Sequence, residues 1–231
     1  TLFAIQIYCD FSGYSDIAIG SAKCMGFSFR KNFQAPYNAT SISDFWRRWH
    51  TSLSSWFRDY LYIPLGGNRG TTLFIVRNLL IVMFISGLWH GASWHFVLWG
   101  LLHGLILVFE FLWRKWFGET KKKSHIINYF HILKTFTLTC GLWIFFRAEN
   151  IQEAFYILKQ VLLSVLSTSG IYLFAWLNLI LLGLIILQKE RIRHHYEAMK
   201  WPGKILFLFS AIGIIYFFGA TTDIPFIYFQ F

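Results

Sequence analysis

Residues 73–113 read LFIVRNLLIVMFISGLWHGASWHFVLWGLLHGLILVFEFLW. A helix crosses a hydrocarbon layer of about 30 Å in about 20 residues, and this apolar stretch is roughly twice as long. Two readings fit. The chain goes out and returns, with a break somewhere near Gly87 to Ser93, or it forms one long tilted helix. The choice decides the topology of everything that follows, because the second reading puts the basic cluster at 114–123 on the opposite side of the bilayer.

The rest of the 231 residues supports a membrane setting. Hydrophobic residues make up 56% and charged residues only 14%, and the mean hydropathy is +0.49. A water-soluble domain of this length carries far more charged surface. The sequence predicts an all-α, polytopic integral membrane protein forming a single unit over 1–231. A first span covers 1–22, interrupted by Asp10 and Asp16. A mixed basic and aromatic segment covers 23–70. The histidine-bearing stretch 73–113 follows, then spans near 128–146, 171–187 and 205–220.

The net charge of +10 does not point to nucleic acid, because the basic residues sit between apolar runs. There they set orientation and meet anionic headgroups. Segments 23–70, 114–123 and 188–204 are strongly basic, whereas 147–170 is nearly balanced. The positive-inside rule places the three basic segments in the cytoplasm and both chain ends outside. Cys9, Cys24 and Cys140 form neither a disulfide framework nor a CxxC spacing. The chain opens on Thr1, part-way into an apolar segment, and reads as a piece of a longer protein.

Residues 41–61, SISDFWRRWHTSLSSWFRDYL, predict one amphipathic helix that lies at the interface or re-enters the membrane. Ser41 with Asp44 has the pattern of a capping box. At about 100° per residue, Phe45, Trp46, Trp49, Leu53, Trp56 and Phe57 share one face, while Arg47, Arg48, Ser55 and Arg58 share the other. His50 falls at the edge of the apolar face, beside Trp46, Leu53 and Phe57, and points toward protein or lipid.

Three histidines lie inside 73–113. On a continuous helix His95, Trp99 and His103 share a face, and His90 lies about 140° round from His95. His95 and His103 are then about 12 Å apart along the axis, too far to share a metal ion, and no other metal spacing occurs. Gly87 with Gly91, and Gly100 with Gly104, are GxxxG pairs that allow close helix approach and shelter His90 in a packing seam. An intramembrane histidine either joins helices through a backbone carbonyl or performs chemistry. His95 and His103 fit the first role. His90, in its tight WHG setting, fits the second, since an imidazole takes and returns a proton near neutrality.

Asp10 and Asp16 need partners if ionised within a span, and the basic 23–70 segment is the natural donor; a packing role fits them better than catalysis. The turn GGNRG at 66–70 has the glycines of a phosphate loop but lacks its GK[ST] ending, so Arg69 is a weak candidate for a phosphate or a headgroup. No GxSxG nucleophile elbow occurs, and no histidine is followed by an acidic residue five positions later.

Four stretches together resemble the membrane-bound O-acyltransferases, in particular their alginate O-acetylating branch. They are YCDFSGYSDIAIG (8–20), FRKNFQAPYNATSISDFWRRWHTSLSSWFRDYLYIPLGGNRG (29–70), RNLLIVMFISGLWHGASWHFVLWGLLHG (77–104) and PFIYFQF (225–231). Residues 105–224 match mainly in hydropathy. The resemblance implies that His90 is the family's principal catalytic histidine and His50 its second characteristic one. It implies an acyl donor on the cytoplasmic side, acetyl-CoA in this branch, used as a substrate with no bound cofactor. It implies an extracytoplasmic polysaccharide acceptor, periplasmic or surface acetyltransferase partner proteins, and a bacterial inner membrane location. Family members run to roughly twice this length, so the chain is expected to be the carboxy-terminal half. Transfer of D-alanine to teichoic acid is the rival within the family. A transporter or scaffold whose histidines only pack helices is the rival outside it.

Overall fold

The computed structural model describes residues 2–118, 125–166 and 189–218. Among these residues the chain is helical, as expected. Helix α1 is Leu2–Cys24, α2 Ile42–Arg48, α3 Thr51–Phe57, α4 Thr72–His90, α5 Trp94–Phe117, α6 His125–Arg147, α7 Ile151–Leu166, α8 Lys189–Ala198 and α9 Trp201–Phe218. A single π-type turn, Arg58–Tyr62, continues α3, and a 3-10 turn covers Pro36–Asn38. Among the described residues three helices are long and apolar enough to cross a membrane: α4, α5 and Ile126–Arg147 of α6. Helix α1 covers the first predicted span and carries Asp10 half-buried and Asp16 exposed. The apolar part of α9 is the shorter Trp201–Gly213. The predicted span at 171–187 and the PFIYFQF stretch lie outside the described residues.

The histidine-bearing stretch is a hairpin, not one long helix. Helix α4 ends at His90, Gly91 is extended, and α5 starts at Trp94. The two helices then run antiparallel in contact. A Cβ built on Gly87 would lie 2.4 Å from the carbonyl oxygen of Phe96, and one on Gly100 would lie 2.2 Å from that of Met83. Only hydrogen at these positions lets the backbones approach this closely. At the far end the Lys115 ammonium donates to the Thr72 hydroxyl. The start of α4 and the basic end of α5 therefore share one end of the molecule.

The amphipathic 41–61 helix forms, but in two pieces. Helix α2 begins as the capping pattern predicts: the Ser41 hydroxyl accepts from the Asp44 N–H at 3.0 Å, and the Asp44 carboxylate accepts from the Thr40 N–H at 3.3 Å. It stops at Arg48. Trp49 is extended, and His50 takes the left-handed conformation, φ 46°, before α3 starts. The single predicted helix is thereby corrected to a helix–turn–helix with His50 at its apex.

Contacts place this pair between the other helices. At the start of α2, the Ile42 and Ser43 N–H groups donate to the two oxygens of Glu110 on α5, at 2.7 and 3.0 Å. Those N–H groups have no partner within the helix, so a carboxylate there satisfies both and meets the positive end of the dipole. Further along, Trp46 reaches His103 and Trp49 reaches Trp143. At the apex, His50 reaches Trp89 near the end of α4. The pair thus runs beside the hairpin from the basic end toward its turn.

After α3 the turn YIPLGGNR is pinned to α4. The buried Asn78 amide donates to the carbonyls of Leu65 and Gly67 at 3.1 and 3.2 Å. Gly66 and Gly67 have φ of 103° and 56°, which side chains rarely adopt. These glycines serve a hook that ties α3 to α4. The core joins α1, α2, α5, α6 and α7 through Ile7, Tyr8, Phe45, Trp49, Trp99, Trp143, Phe146 and Ala154. The balanced segment 147–170 contains helix α7. Its first turn is capped by the Asn150 side-chain oxygen, which accepts from the Glu153 N–H at 2.9 Å.

Candidate active site

The hairpin brings His90 to a place that a straight helix does not. Its ring meets Trp99 edge-on at 5.0 Å and Phe146 at 5.1 Å between centroids, with Phe96 tilted at 6.4 Å. The sequence reading separated His90 from the His95, Trp99 and His103 face. The break at Gly91 folds α5 back and turns Trp99 of that face onto His90. Beside it, Trp89 stands 4.9 Å from His90 and 6.3 Å from His50. The two histidines singled out in the sequence thus flank one tryptophan, at the apex of α2–α3 and at the end of α4.

His95 and His103 both join helices. The His95 Nδ1–H donates to the Phe145 carbonyl at 3.1 Å and ties α5 to α6. His103 Nδ1 accepts from the indole Nε1–H of Trp46 at 3.3 Å and ties α5 to α2. The His103 proton then resides on Nε2. That N–H and the indole N–H of Trp99 are buried and find no acceptor among the described residues.

His50 is half-buried and packs edge-on against Phe11 at 4.8 Å. Its ring neighbours are Phe11 and Trp89, where the sequence sets it beside Trp46, Leu53 and Phe57, because the left-handed turn swings it off a continuous helical face. Burial pushes its imidazole down from the usual 6.5 to about 4. The ring is neutral at physiological pH.

A cavity of about 610 Å³ opens between α2–α3 and the α4–α5 hairpin. Arg30, Lys31, Arg47, Arg58 and Arg114 give its wall a strong positive charge, and Met83 and Ser86 of α4 line its apolar side. Arg58 is paired with Asp59 at 2.7 Å; Arg47 and Arg114 have no ion pair among the described residues. Ser86 lies one helical turn before His90, roughly 6 Å along the axis. Trp46 also lines the cavity, and its ring meets Trp99, which meets His90. Ring contacts thus lead from the cavity wall at Trp46 through Trp99 to the histidine.

Arg69 is exposed and does not line this cavity, although Asn68 does. The cavity cations come instead from both pieces of the broken helix, from the 30–31 strip and from α5. Spacing along the chain does not reveal that convergence. No three metal-ligating side chains cluster among the described residues.

The described residues thus form a helical protein of the membrane class, with a histidine at the end of a tight hairpin, a second histidine at the apex of the α2–α3 turn, and a cationic cavity between the two helix pairs. Residues 1–148 match the membrane-bound O-acyltransferase family, and the chain belongs to it. The match runs through α6, further than the motifs alone. The chain is 49% identical over 152 residues to the probable alginate O-acetylase AlgI of Pseudomonas aeruginosa, covering 66% of this chain and 28% of that protein. It is 44% identical over 165 residues to the peptidoglycan O-acetyltransferase of Helicobacter pylori, covering 68% and 29%. The teichoic acid D-alanyltransferase of Streptococcus thermophilus is 33% identical over 135 residues, covering 53% and 32%. The chain spans less than a third of the length of these curated relatives.

Proposed function

We propose that this chain carries the transfer site of an O-acetyltransferase that moves acetyl groups from acetyl-CoA to hydroxyls of an extracytoplasmic polysaccharide such as alginate. The supporting observation is that His50 and His90 flank Trp89 beside a cationic cavity. Anionic phosphates of a CoA donor suit the arginines and lysine of the cavity wall. The thioester end suits its apolar inner side, one helical turn from His90. The relatives named for O-acetylation are more similar to this chain than the D-alanyltransferase, which favours acetyl over D-alanyl.

In this reading His90 acts as general base or relay. It takes the proton of the acceptor hydroxyl as the new C–O bond forms on the acetyl carbonyl. The C–S bond breaks, and the proton goes to the departing thiolate. His50, neutral at the apex, orients the donor or assists that proton movement. The positive-inside rule puts the cavity mouth on the cytoplasmic face of a bacterial inner membrane. Periplasmic or surface acetyltransferases complete delivery to the polysaccharide.

The test uses the protein as its cell makes it, purified in detergent with labelled acetyl-CoA. Donor hydrolysis or transfer is expected. Arg47→Glu should raise KM for acetyl-CoA about tenfold or more while leaving kcat nearly unchanged. A preparation inert toward acetyl-CoA contradicts the enzymatic reading and favours a scaffold; an unchanged KM removes the cavity from donor binding.

A further inference from the structure

The strip around residue 32 runs alongside residues 48–52. The Gln34 N–H donates to the Arg48 carbonyl at 2.9 Å, the Thr51 N–H to the Asn32 carbonyl at 3.0 Å, and the Thr51 hydroxyl to the Lys31 carbonyl at 2.7 Å. These bonds hold the left-handed turn at His50 from both sides. They also bring the Asn32 side chain against the imidazole.

Three polar atoms converge on the Asn32 Oδ1 position: the Ser52 backbone N–H at 3.2 Å, the Ser52 hydroxyl at 2.9 Å and His50 Nδ1 at 3.2 Å. A backbone N–H only donates, so the amide atom it meets is the oxygen. That oxygen only accepts, and the Ser52 hydroxyl, 3.3 Å from Nδ1, gives its proton to the same oxygen at the shorter 2.9 Å, so His50 Nδ1 carries the proton. A neutral imidazole protonated at Nδ1 keeps its lone pair on Nε2. The other end of the amide is also held, because Asn32 Nδ2 lies 3.4 Å from the Ser15 hydroxyl of α1, where it donates.

We infer that Asn32 is the positioning residue that fixes His50 in its Nδ1–H tautomer and leaves Nε2 as the basic atom available to the reaction. This rests on the reading of His50 as part of the transfer site. The chemistry of the partner matters. A carboxylate at position 32 would hold the same tautomer but favour an imidazolium; a neutral amide holds the tautomer and leaves the ring uncharged, in keeping with the lowered pKa. The ring is faced by Asn32, Ser52, Phe11 of α1 and Trp89 of α4. The titratable residues next to those contacts in the chain are Lys31, Asp10 and His90.

The experiment compares Asn32→Leu, Asn32→Asp and His50→Ala in the protein as its cell makes it. Acetyl-CoA turnover is measured alongside nitrogen NMR of labelled histidine side chains. Asn32→Leu removes the acceptor at similar volume. It should lower kcat roughly 100-fold, the scale of a misplaced catalytic group, with KM for acetyl-CoA within about twofold, and the His50 signals should change from one tautomer to a mixture. Asn32→Asp should keep the Nδ1–H signature, recover most of kcat and move the His50 titration upward. Wild-type kcat in Asn32→Leu, or equal loss in both variants, overturns the inference. Should Asn32→Leu fail to fold, Asn32→Asp decides alone: an unmoved His50 titration overturns the inference. An active His50→Ala overturns the site reading beneath it, whereas an inactive His50→Ala beside an active Asn32→Leu overturns only the role of Asn32.

Discussion

His50 adopts φ 46° and ψ 54° although it carries a Cβ. Outside glycine this region is costly, of order 1–3 kcal/mol, and is kept where surrounding bonds over-determine it. Here the flanking strip does so, and the outcome is an imidazole at the apex, shielded by Phe11 and Trp89. Its pKa of about 4 sets a pH dependence. Between pH 6.5 and about 4 the unfolded chain binds a proton that the folded chain does not, so stability falls as pH drops through that window and levels off below it. The neutral ring needed for proton transfer persists over the same range. The acid limb owed to His50 is therefore expected near pH 4 in a profile of acetyl-CoA hydrolysis. A half-maximal point near 6.5 that vanishes in His50→Gln would contradict this. The sequence singles out both histidines, but not the conformation of His50. A left-handed, non-glycine residue leaves no mark in hydrophobic periodicity, and its partner Asn32 is eighteen residues away.

The α4–α5 hairpin depends on two glycines. Gly100→Ala places a methyl 2.2 Å from the Met83 carbonyl, on rigid backbone. It is expected to cost at least the ~1–3 kcal/mol typical of overpacking, seen as a lower melting temperature or lost folded yield. Gly141→Ala on α6 meets nothing within 4 Å and should melt like the wild type; equal melting of the two variants would refute the close crossing. The α2–α3 pair depends on Glu110, which caps α2 with both oxygens. Glu110→Ala strands two N–H groups, each costing about 1–3 kcal/mol where buried. Hydrogen exchange over 42–57 should accelerate while exchange over α6 stays unchanged. Unaltered exchange in α2 would mean the carboxylate does not dock it. The glycine seam and the Ser41 cap were legible, because each is a local spacing rule. The break at Trp49–His50 was not, because the apolar stripe continues through it unbroken; bonds to the strip at residues 31–34, not local propensity, end α2. Glu110 was hidden for a similar reason, as a lone carboxylate in an apolar run whose partners lie 67 and 68 residues away.

At the scale of the molecule, the hairpin turn and the basic ends face apart. Helix α4 carries His90 roughly 27 Å from Thr72 along its axis, at a rise of 1.5 Å per residue. With the basic segments inside, a cysteine at Ala92 should react with an impermeant maleimide from the periplasm, while cysteines at Asn68 and Gly118 should react only after the inner membrane is opened. Labelling of positions 92 and 118 from the same side would contradict the hairpin. This architecture gives one histidine-flanked tryptophan near the hairpin turn and a cationic cavity between α2–α3 and the hairpin; in the proposed function the anionic donor enters that cavity and transfer takes place at His90. In the proposed function His90 carries acetyl transfer to an extracytoplasmic polysaccharide. The most direct measurement is the acetyl content of the envelope polysaccharides in a strain whose only copy of this protein bears His90→Ala, with its membrane level checked by immunoblot. Wild-type insertion and loss of acetylation from one polymer are expected. Normal acetyl content on every envelope polymer at a normal protein level would contradict the proposed function.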